Sequence, residues 1–327
     1  MPTPRNCCPQ FRRYSRSRTH ERPTFQGIYP PVVTPLHEDG SIDFDSLGNV
    51  VDHLIDGGMH GLFVLGSTGE VAYLTDEQRV QVITRIAERA AGRVPLLVGC
   101  MDMTAARVVE QGRRAVAAGA DGIVVTAPFY ALNNGPEIAD HFRLVAAGVD
   151  VPVFAYDVPV RLGGVKLAPE MLVQLGTEGV IAGVKDSSGD DVGYRRLVAQ
   201  NKAAGSPLKL FTGHEMVNDA VVLMGCDGMV PGFANVDPVS YRRLWDAATS
   251  GDWATAVSLQ EQINSEFEIV FKPRGRGGDA TGLGAFKTAM HLLGLISSPR
   301  QPQPLPAMPA EDVAAVREVL VGTGLLK

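Results

Sequence analysis

Eight short apolar runs, each followed by a loop and then a stretch of helical spacing, set the tightest limit on how this chain folds. The runs cover 28–33, 61–65, 95–99, 122–126, 152–156, 180–185, 208–212 and 228–231. Strands that are apolar on both faces and alternate with helices form a parallel sheet whose two faces are covered. In the first intervening segment Leu47, Val50, Val51, Leu54 and Ile55 mark one helical face, with Asp43 as its start and Gly57-Gly58 as its stop. The second opens on Thr75-Asp76-Glu77-Gln78, a capping-box pattern. A third runs from Thr104 to Ala118 and stops at Gly119, and others are expected at 136–147, 168–175, 191–200, 215–224 and 237–249. Eight such units over about 225 residues match the size of a (β/α)8 barrel, a TIM barrel. The alternative is an open doubly wound sheet, which a glycine-rich phosphate loop after the first strand would support. Here that strand is followed by Thr34-Pro35-Leu36-His37.

After Gly251 the strand pattern stops. Residues 253–271 and 284–296 read as helices, joined by the flexible connection "KPRGRGGDATGLG". A proline-rich link, "SSPRQPQPLPAMP", leads to a last helix from Glu311 to about Val321. The expected organisation is a basic, disordered tail over 1–25, a barrel over 26–250 and a helical region over 251–327.

Charge and cysteine usage narrow the partners. The first 25 residues hold six arginines and one acid, Glu21, so the acidic body carries about −11 within a formal total of −6. A body of that sign argues against nucleic acid as a partner. The tail lacks the apolar core of a secretory signal, and its Arg/Ser-rich make-up faintly resembles an organelle transit peptide. No run of 18 or more apolar residues is present, so no membrane span is expected. Cys7, Cys8, Cys100 and Cys226 form no disulfide framework, which fits a reducing, cytoplasmic setting.

In a barrel of this kind, function sits at the C-terminal ends of the strands. Several reactive groups fall there. Lys185 ends the sixth run, where lost hydration favours a neutral amine able to form a Schiff base with a ketone. It could equally snorkel to the mouth or pair with Asp186 or Asp190. Tyr156 ends the fifth run and could shuttle protons, or merely cap the core; Tyr130 carries the same ambiguity. The loop Gly66-Ser67-Thr68-Gly69-Glu70 offers amide and hydroxyl donors suited to a carboxylate, or is only a tight turn. Arg161 could clamp a second carboxylate or stand solvated. Of the seven histidines only His214 falls clearly on this rim, and no two have ligand spacing on one helix, so no metal is expected. Ser67 is not in a nucleophile elbow.

With "VVTPL" at 32–36, "GSTGE" at 66–70, "TAPFY" at 126–130, "YDVPVR" at 156–161 and "GVKDSSGD" at 183–190, residues 27–295 resemble the dihydrodipicolinate synthase / N-acetylneuraminate lyase family of pyruvate-dependent Schiff-base lyases. The resemblance implies a barrel with a helical C-terminal extension and a homotetramer, a dimer of dimers. It implies a covalent Schiff base of pyruvate on Lys185 with no other cofactor, and Tyr156 as general acid and base. Ser67 and Thr68, beside Gly66, would hold the pyruvate carboxylate, with Ser67 relaying protons. Tyr130 would reach into a neighbouring subunit's site, and Arg161 would hold the carboxylate of aspartate semialdehyde. The expected reaction is therefore condensation of pyruvate with aspartate semialdehyde. The alternatives are a 2-keto-3-deoxy sugar acid or sialic acid-type aldolase or dehydratase, and an inactive barrel serving as a binding or regulatory protein. Departures from the pattern are Ser67-Thr68 for the synthases' usual Thr-Thr, Asp157 for an asparagine, "RLGG" for the usual Arg-Thr-Gly, and Phe129 where lysine-regulated synthases often carry tyrosine.

Overall fold

The computed structural model describes residues 24–275 and 277–327. Eight parallel strands are present: β1 Gly27–Ile28, β2 Leu62–Val64, β3 Leu96–Gly99, β4 Gly122–Thr126, β5 Val153–Asp157, β6 Gly183–Asp186, β7 Lys209–Thr212 and β8 Gly228–Met229. They pair in the order β1-β8-β7-β6-β5-β4-β3-β2. The remaining seam, between β1 and β2, is joined by a bridge from Pro31 to Phe63, with Phe63 N–H donating to Pro30 O at 2.9 Å and Val32 N–H to Phe63 O at 2.9 Å. The sheet is thus a nearly closed TIM barrel. The first and last strands are shorter than their apolar runs because Pro30, Pro31 and Pro231 have no N–H to give to a ladder.

The helices of the barrel are α1 Phe44–Asp56, α2 Asp76–Ala90, α3 Ala105–Ala118, α4 Gly135–Gly148, α5 Pro169–Thr177, α6 Asp191–Ala203, α7 Asn218–Met224 and α8 Pro238–Ser250. Asp43 caps α1 by accepting from Asp45 and Ser46 N–H, and Thr75 and Gln78 form the reciprocal box that starts α2. Where one helix is expected over 215–224, a 3-10 turn at Glu215–Val217 precedes α7. Three further helices follow: α9 Trp253–Phe267, α10 Gly278–Leu292 and α11 Ala310–Gly322. Helix α10 therefore begins inside the glycine-rich stretch expected to be a flexible connection. Gly284 shows why glycine occurs there: a Cβ would lie 2.6 Å from the Gln301 amide nitrogen, so the residue serves close helix packing.

Aromatic rings fill the barrel, and glycines on neighbouring strands make room for them. A Cβ at Gly61 would meet the Tyr29 ring at 2.0 Å, at Gly183 the Phe154 ring at 2.4 Å, and at Gly228 the Phe211 ring at 2.4 Å. Tyr29, Phe154 and Phe211 then pack edge to face, with centroids 5.3 and 6.0 Å apart. Phe25 is buried against Phe154 at 5.1 Å, so the end of the segment expected to be a disordered tail belongs to the core. The basic arginines of that tail lie outside the described residues. No described helix is long and apolar enough to cross a membrane.

Candidate active site

Strand register builds the centre of the site. Tyr156 on β5 and Lys185 on β6 are direct partners, and Lys185 is in turn the partner of Phe211 on β7. Because side chains alternate along a strand, Tyr156 and Lys185 share the barrel face while Asp157 and Asp186 face the helices. Lys185 is 7% exposed and Tyr156 is 4% exposed. The Lys185 Nζ lies 4.2 Å from the Tyr156 ring centre and 4.5 Å from that of Phe63. Two rings facing a cation stabilise positive charge without supplying a counter-carboxylate.

The alternative pairing of Lys185 with a neighbouring acid does not occur. Asp186 accepts from Ser188 N–H at 2.8 Å, Ser188 Oγ at 2.7 Å and Lys166 Nζ at 3.2 Å. Asp190 accepts from Gly193 N–H at 2.8 Å as the cap of α6. Lys166 also bonds Asp157, whose carboxyl is pushed up to about 6 by burial and by Asp186, against the pull of Lys166. Asp157 is thus accommodated by a lysine from the following loop.

The Tyr156 hydroxyl lies near enough to Lys185, Ser187 and Ser67 to feel all three. Burial alone would raise this phenol; the Lys185 charge and the polar groups of Ser187, Lys185 and Ser67 outweigh it and hold the phenol below its ordinary value. The structure therefore brings together Lys185, Tyr156 and Ser67 and adds Ser187, which lies inside the quoted "GVKDSSGD" stretch. Thr68 is half-buried beside Ser67.

The loop bearing Ser67 and Thr68 is fixed from several sides. It is bounded by two non-glycine residues in the left-handed region, Leu65 at φ 58° and Glu70 at φ 62°. Gly66 is required because a Cβ would sit 2.5 Å from the Phe63 ring. Thr34, from the "VVTPL" segment, donates its hydroxyl to Gly69 O at 2.8 Å. Glu70 is fully buried against Lys287 of α10, whose Nζ reaches its two carboxylate oxygens at 2.7 and 2.8 Å and Arg300 O at 3.0 Å. Burial raises Glu70 to about 7 against the pull of Lys287, and lowers Lys287 against the pull of Glu70.

Arg161 follows β5 in a 3-10 turn, Pro159–Arg161, and its charge is felt by Tyr156. It does not stand free. Its Nη1 donates to Asp279 Oδ2 at 2.7 Å and its Nη2 contacts Asp279 Oδ1. Tyr73 donates its hydroxyl to the same Oδ2 at 3.2 Å. A cavity of about 910 Å³ opens beyond this group, lined by Tyr73, Val160, Arg161, Arg274 and Asp279 among others. On another side of the site Glu215 turns its carboxylate inward, accepting from Phe233 N–H at 2.7 Å and Tyr241 Oη at 3.2 Å. Burial raises it to about 7, opposed by the Phe233 and Gly232 amides, Tyr241 and the Lys185 charge. His214 accepts from Gly189 N–H at 2.6 Å through Nε2 and meets Asp191 through Nδ1 at 2.8 Å, which ties the loops after β6 and β7 together. Tyr130 stands apart: it is 95% exposed at φ 73°, next but one to the fully exposed Leu132.

A TIM barrel with a buried lysine and tyrosine on adjacent strand ends is the framework of a class I aldolase-type lyase. The sequence model of the Dihydrodipicolinate synthetase family matches residues 24–321. The chain belongs to that family. It is 33% identical over 300 residues to an uncharacterised DapA-like lyase of Halobacterium salinarum, covering 92% of this chain and 94% of that one. It is 32% identical over 298 residues to the 4-hydroxy-tetrahydrodipicolinate synthase of Methanosphaerula palustris, covering 90% and 98%. Among solved structures, YagE from E. coli K12, a prophage protein of the dihydrodipicolinic acid synthase family in complex with pyruvate, superimposes with a TM-score of 0.86 at 28% identity over 92% of this chain and 99% of that one. The dihydrodipicolinate synthase of Bacteroides thetaiotaomicron gives 0.85 at 30% identity over 91% and 98%.

Proposed function

We propose that this protein catalyses the reversible aldol addition of pyruvate to a hydroxylated aldehyde through a Schiff base on Lys185, the reaction of a 2-keto-3-deoxy sugar acid aldolase. The observation that carries this reading is the Lys185 amine packed against Tyr156 and Phe63 in a buried barrel mouth. The amine attacks the pyruvate keto carbon, and Tyr156 passes a proton to the departing oxygen, which leaves as water. The resulting iminium is cationic, and the Phe63 and Tyr156 faces stabilise it. The Tyr156 oxygen, having given its proton to the departing water, takes a methyl proton to give the enamine, whose carbon attacks the aldehyde. The aldehyde oxygen takes a proton relayed through Tyr156 and Ser67, and water then hydrolyses the adduct to release product and free Lys185. Ser67, Thr68 and the Gly66 loop amides hold the pyruvate carboxylate.

The choice of a hydroxylated aldehyde rests on Arg161, whose guanidinium is already engaged by Asp279. A second reading, condensation with aspartate semialdehyde, is favoured by the relatives named 4-hydroxy-tetrahydrodipicolinate synthase at 32% identity. Incubating the protein and pyruvate with glyceraldehyde or with aspartate semialdehyde, and following each product, tests the choice. Preferred turnover of aspartate semialdehyde would reverse it. The exposed Tyr130 is offered to a second copy of the chain in a homotetramer, acting in the cytoplasm; a monomer in sedimentation would contradict that part. An inactive, regulatory barrel is disfavoured because both Lys185 and Tyr156 are in place.

A further inference from the structure

We infer that Asp279 is a specificity-determining residue: it occupies the fork of Arg161 as a built-in carboxylate and so turns the site toward neutral acceptors and away from acidic ones. The inference rests on the proposed aldol chemistry and adds the residue that selects the acceptor. Three distant parts of the chain meet at this point. Arg161 follows β5, Tyr73 follows the Ser67 loop, and Asp279 lies in the first turn of α10. The two terminal guanidinium nitrogens of Arg161 face the two oxygens of Asp279, the two-pronged geometry by which arginine binds a carboxylate ligand. The Tyr73 hydroxyl adds a third bond to Asp279. The pair is partly open to solvent, with 44% exposure of the Arg161 side chain and 27% of Asp279.

An acidic acceptor has two ways to use Arg161. It can displace Asp279, which leaves a half-buried carboxylate with only Tyr73, or it can bind beside the pair, where Arg161 is already neutralised. Either costs affinity relative to an empty fork. Glu215, on another side of the same mouth and close enough to act on Lys185, is a second acid that opposes an anionic acceptor whenever it is ionised. A neutral hydroxylated aldehyde meets no such conflict.

The test compares the wild type with Asp279→Asn and Asp279→Ala. For each, kcat/KM is measured with pyruvate plus aspartate semialdehyde and with pyruvate plus glyceraldehyde. Succinate, a non-reacting dianion, is also titrated into the pyruvate-loaded protein. Both variants are expected to raise the ratio of acidic to neutral turnover by at least about tenfold and to bind succinate correspondingly tighter, because they free a cation. An unchanged or lowered ratio, or unchanged succinate affinity, in folded variants overturns the inference. A merely structural role for Asp279 would weaken every ligand and tighten none. If neither aldehyde is turned over, the succinate titration alone decides. Reductive trapping of pyruvate is run on all three proteins; its failure in the wild type would refute the aldol chemistry, whereas a flat succinate response with intact trapping would refute only the role of Asp279.

Discussion

Tyr156 and Lys185 are register partners on adjacent parallel strands, with the lysine Nζ 4.2 Å from the tyrosine ring centre. The next pair along the same ladder, Asp157 and Asp186, faces the other way and shares Lys166. One step of strand pairing therefore sets an amine and a phenol inside the barrel and a bridged acid pair behind it. The inner pair is the proposed reaction centre and the outer one holds the loop that carries Ser187 and Ser188.

Replacing Tyr156 with phenylalanine keeps the ring against Lys185 and removes the proton carrier. Turnover should fall by about 10²- to 10⁴-fold. Melting temperature should hold, and borohydride should still trap pyruvate, only more slowly. A variant with undiminished turnover would remove Tyr156 from the mechanism.

Gly66→Ala should act on the amine without touching it. The new Cβ would lie 2.5 Å from the Phe63 ring, and that ring sits 4.5 Å from the Lys185 Nζ. Displacing the ring should lower kcat/KM for pyruvate by about ten- to a hundredfold, since small misplacements carry large rate penalties. Steady-state kinetics alongside a melting curve separates this from unfolding; wild-type kinetics would show that Phe63 does not support the site.

The Glu70–Lys287 pair is completely buried, so losing one partner strands the other. Lys287→Met should cost about 3–5 kcal/mol in denaturant unfolding, and adding Glu70→Leu should recover much of it. A double variant no better than the single one would mean that shape, and not the stranded charge, sets the cost.

Glu215 gives a pH signature. Its carboxyl holds its proton more tightly in the folded chain, at about 7, than its ordinary value of 4.5. Its stabilising contribution is complete below the ordinary value and is lost as pH rises through about 7. Glu215→Gln keeps a neutral group there. Wild type should therefore lose stability relative to this variant between pH 5 and pH 8, read as a change in the difference of melting temperatures. A constant difference would contradict the raised value.

Much of the barrel is legible from local chemistry. Asp43, Thr75 with Gln78, and Gly119 mark helix ends because capping depends on residues close in sequence. Strand lengths at the seam are misread because apolar runs say nothing of which N–H groups a proline removes. The glycine-rich start of α10 reads as a loop because its reason for helicity is tertiary: Asp279 docks on Arg161 and Gly284 admits Gln301.

The centre of the site is legible because Lys185, Tyr156 and Ser67 each interrupt an apolar run or follow one directly, and the barrel topology sends all strand ends to one rim. Ser187 carries a weaker signal, lying two residues past Lys185. Asp279 and Tyr73 carry none, since 206 residues separate them and only the folded chain brings them into contact beside Arg161. Glu70 reads as part of a carboxylate-binding loop, yet its own partner, Lys287, lies 217 residues away.

The most direct measurement is reductive trapping. The protein is incubated with pyruvate and borohydride, digested, and the peptides mapped by mass spectrometry. A reduced pyruvate adduct on Lys185, lost in Lys185→Ala, is the predicted result. An unlabelled Lys185 in folded protein that still turns over substrate would contradict the Schiff-base account.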